Sequence, residues 1–106
     1  CRMCVVEDDR GKIFASCSEV TRDGLVIYTN TPKLQHHRKM ILELMLSAQC
    51  RECTTCKKNG DCTVQNLAKQ LCVSYIRFEN NKPQSPIDES SDCIVIDKNK
   101  CIRVFW

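Results

Sequence analysis

Apolar side chains recur at three- and four-residue steps through residues 32–48: Leu34, Ile41, Leu44, Met45 and Ala48 share a face, with His37 between them. That period predicts the longest helix of the chain. Thr31 can cap it, and Pro32 suits its first position, where a missing N–H leaves no partner unmet. A second helix is predicted where Val64, Leu67, Ala68, Leu71 and Cys72 fall on one face, with Asp61 or Thr63 as its cap. Residues 1–30 read differently. Gly11–Ser16 and Gly24–Thr29 are β-branched or aromatic runs introduced by glycines, and Asp8-Asp9 and Arg22-Asp23 supply turn material. Tyr75–Phe78 and Cys93–Asp97 predict two more short strands, separated by a polar loop over 79–92 that holds Pro83, Pro86 and Ser90-Ser91. The stretch 49–62 has no hydrophobic period. It carries four cysteines instead.

Composition sharpens this α+β outline. Ten of the 106 residues are cysteine, the density of a disulfide scaffold or a metal protein. The 42% hydrophobic fraction includes those cysteines, so the remaining apolar residues make a thin core that needs staples or metals. The net charge of +3, with acids and bases interspersed, does not make a basic nucleic-acid surface. No apolar run nears the ~18 residues of a membrane span, and no signal peptide is present. The expectation is a soluble, cytoplasmic domain without direct membrane insertion. The chain begins at Cys1 without Met and ends on Phe105-Trp106, as an internal piece of a longer protein would; a lipoprotein N-terminus is the lesser alternative.

Most of the cysteines are clustered, as Cys1-x2-Cys4 and as Cys50-x2-Cys53-x2-Cys56-x5-Cys62. Two intervening residues place both sulfurs on one tight turn, aimed at a common metal; a disulfide across such a turn is of the redox-active kind, not a staple. Four thiolates within 13 residues (50–62) can hold zinc or an iron–sulfur cluster. The spacing favours iron–sulfur, because zinc sites normally split into two knuckles far apart in sequence. Cys1-x2-Cys4-x12-Cys17 looks like three ligands of a 2Fe–2S loop whose first ligand lies upstream.

The strings Cys1-Arg2-Met3-Cys4-Val5-Val6, Ala15-Ser16-Cys17, Leu42-Glu43-Leu44-Met45-Leu46, Cys53-Thr54-Thr55-Cys56, Asn59-Gly60-Asp61-Cys62 and Gln65-Asn66-Leu67-Ala68 follow one another in an order that strongly resembles a known region. Arg77-Phe78, Ser90-Ser91 and the stretch Asp97 to Ile102 continue it. It is the N-terminal electron-transfer region of iron-only (FeFe) hydrogenases, shared with the large iron–sulfur subunit of complex I and some NAD-dependent formate dehydrogenases. The resemblance implies a fragment of a ferredoxin-like 2Fe–2S domain over residues 1–31. A small helix–loop–helix 4Fe–4S domain of the His-Cys type over 32–78 would follow. Residues 79–106 would then be a linker and the start of a bacterial-ferredoxin-type domain.

By the same resemblance Cys1, Cys4 and Cys17 match the second, third and fourth ligands of the 2Fe–2S cluster. Cys53, Cys56 and Cys62 match three ligands of the 4Fe–4S cluster, and Cys101 matches the first ligand of an incomplete third motif. The family places a histidine four residues before the first of those three cysteines; this chain has Gln49 there. A neutral amide oxygen suits soft iron poorly, and adjacent Cys50 offers a thiolate, so Cys50 is expected as the fourth ligand. His36 and His37 lie on the polar edge of the first helix, and Cys72 and Cys93 read as small buried hydrophobes. Lys57, Lys58 and Lys100 flank thiolates but read as solvated. Leu44, Leu46, Leu67 and Leu71 would shield the cluster from water, and Gly60 would let the backbone fold back before Cys62.

The resulting expectation is an electron-transfer segment of an iron-only hydrogenase, with the complex-I or formate dehydrogenase segment as the alternative. Single electrons would pass between an external carrier, a ferredoxin or NAD(P)H-linked donor, and a catalytic centre in other domains or subunits. No nucleotide loop, catalytic triad or carboxylate pair makes this chain a substrate-converting centre. The rivals from other classes are a zinc-binding structural or interaction module and a disulfide-bonded extracellular domain. Having lost a ligand and its first strands, residues 1–31 are expected to be the less stable half.

Overall fold

The computed structural model describes residues 1–49, 52–80 and 83–101. Three short strands, β1 (Val5–Asp8), β2 (Ile13–Ala15) and β3 (Ile27–Tyr28), are followed by helix α1 (Pro32–Ser47) and helix α2 (Thr63–Gln70). The sheet is antiparallel in the order β2-β1-β3, with Val5 opposite Ala15, Glu7 opposite Ile13 on one side, and Glu7 opposite Tyr28 on the other. The α+β reading holds, as a few strands and two helices compatible with a ferredoxin-like iron–sulfur fold.

The β1–β2 hairpin is closed by the turn predicted at Asp8-Asp9. Asp8 Oδ1 accepts from the Arg10 and Lys12 amides at 3.0 and 2.7 Å, an Asx turn in which the carboxylate replaces a backbone acceptor. Gly11 completes it at φ +78°, a conformation that suits a residue without Cβ. The central strand β1 has no glycine before it, and its Val5-Val6-Glu7-Asp8 run lacks alternation, so the sequence pattern did not single it out.

Helix α1 starts as predicted: Thr31 Oγ1 accepts the Leu34 amide at 3.2 Å, with Pro32 in the first turn. The Thr31 hydroxyl also donates to Glu7 Oε2 at 2.7 Å, and Lys33 Nζ reaches Glu7 Oε1 at 3.3 Å and the Gly11 carbonyl at 2.6 Å. These bonds, the Thr31 hydroxyl first and then the Lys33 charge, hold the Glu7 carboxyl below its ordinary range. One residue thus caps the helix and fastens it to the central strand.

The buried face of α1 differs from the predicted one. Leu34 and Leu42 are fully buried, Glu43 is 3% exposed, Ser47 is buried, and Leu44 is 47% exposed. The reason is that α1 packs on two sides. Leu34, Arg38 and Leu42 form one i, i+4, i+8 stripe towards β1, where Arg38 Nη2 donates to the Val5 carbonyl at 2.8 Å. Glu43 and Ser47 form a second stripe, and the Glu43 carboxylate accepts from Arg77 Nε at 2.7 Å across the chain after α2. Two stripes replace the single apolar face that periodicity assumes, and Leu44 falls in the gap between them.

Helix α2 is shorter than expected. Cys62, not Asp61 or Thr63, is its N-cap, with no side-chain capping bond. Its C-terminus is a Schellman motif: Val73 N–H donates to the Ala68 carbonyl at 2.9 Å and Cys72 N–H to that of Lys69 at 3.1 Å. Cys72 occupies the left-handed position at φ +50° and is exposed, which corrects its reading as a buried hydrophobe. Because Gly removes the Cβ strain of that conformation, Cys72→Gly should raise stability by up to about 1 kcal/mol, read from the urea midpoint. An unchanged or lowered midpoint would contradict this.

The strand expected over Tyr75–Phe78 is absent, and Tyr75 is 73% exposed. The strand expected over Cys93–Asp97 reduces to one bridge, Asp88 with Ile96, and Cys93 is exposed. Hydrogen bonds from the Ser85 amide to Asn99 Oδ1 and from Asn99 Nδ2 to the Ser85 carbonyl, at 2.9 and 2.8 Å, hold the ends of this segment together. An apolar run without a neighbouring strand has no ladder to join. The buried apolar residues Val5, Val6, Ala15, Leu34 and Leu42 lie in β1, β2 and α1, so the core gives no support to residues 1–31 as the looser half.

Candidate iron–sulfur ligand sites

The β1–β2 ladder brings the first cysteine group together. Beyond the Val5–Ala15 pair, the Ser16 amide and hydroxyl both donate to the Cys4 carbonyl, at 3.1 and 2.9 Å. These two hydrogen bonds to one acceptor fix Cys4 beside the residue preceding Cys17, and the Cys4 and Cys17 sulfurs lie 3.2 Å apart. Hydrogen bonds from Cys17, its backbone first and then its side chain, hold the Cys4 thiol below its ordinary value. The same contact and the charge on Cys4 push Cys17 up. Cys1 is exposed, one turn upstream, and Arg2 between the two takes a left-handed φ of 66°. The role of Ser16 was not read from the sequence; a hydroxyl directly before a paired cysteine is the signal that could have shown it.

The second group lies between the helices. Cys53–Thr55 is a 3₁₀ turn in which the Cys56 amide donates to the Cys53 carbonyl at 3.2 Å, so the x2 spacing does produce one tight turn. The return to α2 is organised by Gly60, at φ +87°, whose amide donates to Gln65 Oε1 at 3.0 Å, while Gln65 Nε2 donates to Asn59 Oδ1 at 3.0 Å. Cys53 and Cys56 are exposed and Cys62, at the head of α2, is half-buried. Cys50, the expected fourth ligand, lies outside the described residues, as do Ile102 to Trp106 beyond the exposed Cys101.

Among the described residues no three His, Cys, Asp or Glu side chains gather as they would around a single metal ion. The nine described cysteines are free thiols. The donor chemistry fits iron, since six thiols stand on turns or strand ends open to solvent or partly so. Of the expected shielding residues, Leu46, Leu67 and Leu71 are half-buried and Leu44 is not buried. His36 is exposed and His37 half-buried, with their rings edge to face at 6.2 Å, on the helix rather than in the loop. Lys58 pairs with Asp61 at 3.6 Å in solvent, and exposed Lys100 with half-buried Asp97 at 3.8 Å.

A pair that ties together the segments on either side of the loop and α2 was also missed. Arg77 Nε to Glu43 Oε2, with the Arg77 guanidinium 5.7 Å from the Phe78 ring, ties α1 to the chain leaving α2. A single acid inside the apolar run Ile41-Leu42-Glu43-Leu44 was the available signal.

Residues 38–77 match the family described as NADH-ubiquinone oxidoreductase-G iron-sulfur binding region. Over 103 residues the chain is 32% identical to the NADP-reducing hydrogenase subunit HndD of Solidesulfovibrio fructosivorans, covering 96% of this chain and 18% of that protein. It is 31% identical over 106 residues to the G 2 subunit of the NADH-quinone oxidoreductase of Rhizobium meliloti, covering 97% of this chain and 12% of that one. A solved structure of an NAD+-reducing [NiFe]-hydrogenase in the H2-reduced state superposes with a TM-score of 0.84 at 35% identity, over 97% of this chain and 44% of the other. The chain therefore spans less than a fifth of the length of these two curated relatives. What it matches in each is part of a larger oxidoreductase.

These matches correct the assignment to iron-only hydrogenases. The family, the NADH-quinone oxidoreductase relatives and the solved structure connect the chain with the G-type subunit of that oxidoreductase and with [NiFe]-hydrogenase. The motifs quoted for the iron-only enzymes belong to the electron-transfer region that several oxidoreductases share. They mark an iron–sulfur binding region found in more than one oxidoreductase.

Proposed function

We propose that this chain is an electron-relaying iron–sulfur segment of the G-type subunit of an NADH dehydrogenase or of an NAD-linked [NiFe]-hydrogenase. The observation that carries the reading is that Cys53, Cys56 and Cys62, on one 3₁₀ turn and the head of α2, all fall within the 38–77 match to an iron–sulfur binding region. In this reading residues 1–31 are the 2Fe–2S part, 32–78 the 4Fe–4S part, and 79–106 lead to a third motif begun by Cys101. Cys1, Cys4 and Cys17 hold the 2Fe–2S cluster, with its remaining ligand supplied from outside residues 1–106. Cys53, Cys56, Cys62 and Cys50 hold the 4Fe–4S cluster.

When bound, such clusters accept and release single electrons at thiolate-ligated iron. The protein's own contribution is to place the sulfurs and to set their surroundings. Ser16 anchors Cys4 next to Cys17, and the Gly60–Gln65–Asn59 bonds hold the loop return. Electrons would come from a ferredoxin or an NAD(P)H-linked donor and leave towards a catalytic centre in other subunits. The reading places the chain in a reducing, cytoplasmic compartment, where cysteines stay available as thiolate ligands. No helix is long and apolar enough to cross a membrane among the described residues.

Metal analysis with visible and electron paramagnetic resonance spectra of the anaerobically purified chain tests the reading. The expected result is a brown protein with iron and acid-labile sulfide. A colourless protein holding stoichiometric zinc would replace it with the zinc-module reading.

A further inference from the structure

Among the described cysteines, Cys4 and Cys17 are the pair whose sulfurs touch, at 3.2 Å. Cys17 is exposed and Cys4 half-buried, so a small reagent can reach the pair. Their backbones are held by the β1–β2 ladder and by the two Ser16 bonds to the Cys4 carbonyl. Closing a disulfide needs a sulfur separation of about 2.05 Å, which side-chain rotation of roughly 1 Å supplies without breaking the ladder. Cys1 is nearer in sequence but reaches Cys4 only across the turn at Arg2, whose φ is 66°.

We propose that in the cluster-free chain Cys4 and Cys17 form a reversible disulfide by exchange with a small-molecule disulfide of the glutathione type. One protein thiolate attacks the glutathione disulfide, forming a mixed disulfide and releasing one glutathione thiolate. The second protein thiolate attacks the protein sulfur of that mixed disulfide, forming the Cys4–Cys17 bond and releasing the second glutathione. Two protein thiols give up two protons and two electrons, and one glutathione disulfide becomes two thiols. The preformed contact makes the second step intramolecular between oriented groups, which selects this pair over the other thiols. The pairing stands on geometry alone. Its consequence, that oxidation removes two of the three thiolates available for iron and reduction restores them, rests on the function proposed above.

The test uses the full 106-residue chain, stripped of metal and exposed anaerobically to oxidised glutathione, then alkylated and mapped after tryptic cleavage. Arg2, Arg10, Lys12 and Arg22 place Cys1, Cys4 and Cys17 on separate peptides. The expected product is a Cys4–Cys17 cross-link forming at least ten times faster than any other. Cys17→Ser should leave a glutathione adduct on Cys4 instead. In strong urea the selectivity should vanish. A native product dominated by Cys1–Cys4, a scrambled native pattern, or the same selectivity in urea would overturn the proposal. Absence of iron in the purified chain would leave the pairing untouched while removing its consequence.

Discussion

Cys50→Ala should abolish the 4Fe–4S signal of the anaerobically purified chain, or convert it to that of a three-iron cluster, while Gln49→Ala leaves it nearly unchanged. A 4Fe–4S cluster needs four donors, and in the proposed site Cys53, Cys56 and Cys62 supply three. Gln49 is half-buried just past the end of α1, its backbone N–H donating to the Leu46 carbonyl at 3.3 Å, and its side chain offers only a hard amide oxygen. Cys50 is the adjacent soft donor. Restoring a histidine by Gln49→His should recover a four-iron spectrum in the Cys50→Ala background, since imidazole is a competent iron ligand. The measurement is the electron paramagnetic resonance spectrum of the reduced protein with its iron content. An unchanged four-iron spectrum in Cys50→Ala would assign the fourth position to Gln49, water or an external ligand.

Local signals were legible and tertiary ones were not. The Thr31-Pro32 start, the Asp8 turn and the tight turn at Cys53–Cys56 each depend on residues within four positions of one another, and each forms as the sequence implies. The x2 spacing and the order of the cysteines marked an iron–sulfur module for the same reason. What misled was packing. An apolar run such as Cys93–Asp97 becomes a strand only beside a partner, and here it finds a single bridge to Asp88. The exposed face of Leu44 follows from α1 contacting β1 on one side and the Arg77 segment on another, which no single-helix period encodes. The parent enzyme was illegible for a related reason. Cysteine spacing reports the kind of cofactor it suits, and the region it marks here is matched in more than one oxidoreductase.

Removing Arg77 should therefore cost more than a surface ion pair. Glu43 is 3% exposed and its carboxylate meets Arg77 Nε at 2.7 Å, while the Arg77 side chain is half exposed. Losing the cation leaves a buried carboxylate without this counter-charge, a defect of about 3–5 kcal/mol in fully buried pairs; partial exposure of Arg77 lowers the expected cost of Arg77→Ala to about 2–3 kcal/mol. That is a large fraction of the stability of a small domain. The pair also spans the cysteine loop, joining the helix before it to the chain after α2, so its loss should loosen the loop as well as the fold. Urea unfolding of the cluster-free chain gives the first quantity, and the rate of cluster loss to a chelator gives the second. Glu43→Gln should do less harm than Arg77→Ala, because a neutral amide can still accept the bond and leaves no buried charge. Replacing both partners together, Glu43→Leu with Arg77→Met, should recover most of the urea stability, since no charge is left buried. A double variant as unstable as Arg77→Ala would show that α1 depends on the length and stacking of the Arg77 side chain against Phe78 rather than on its charge.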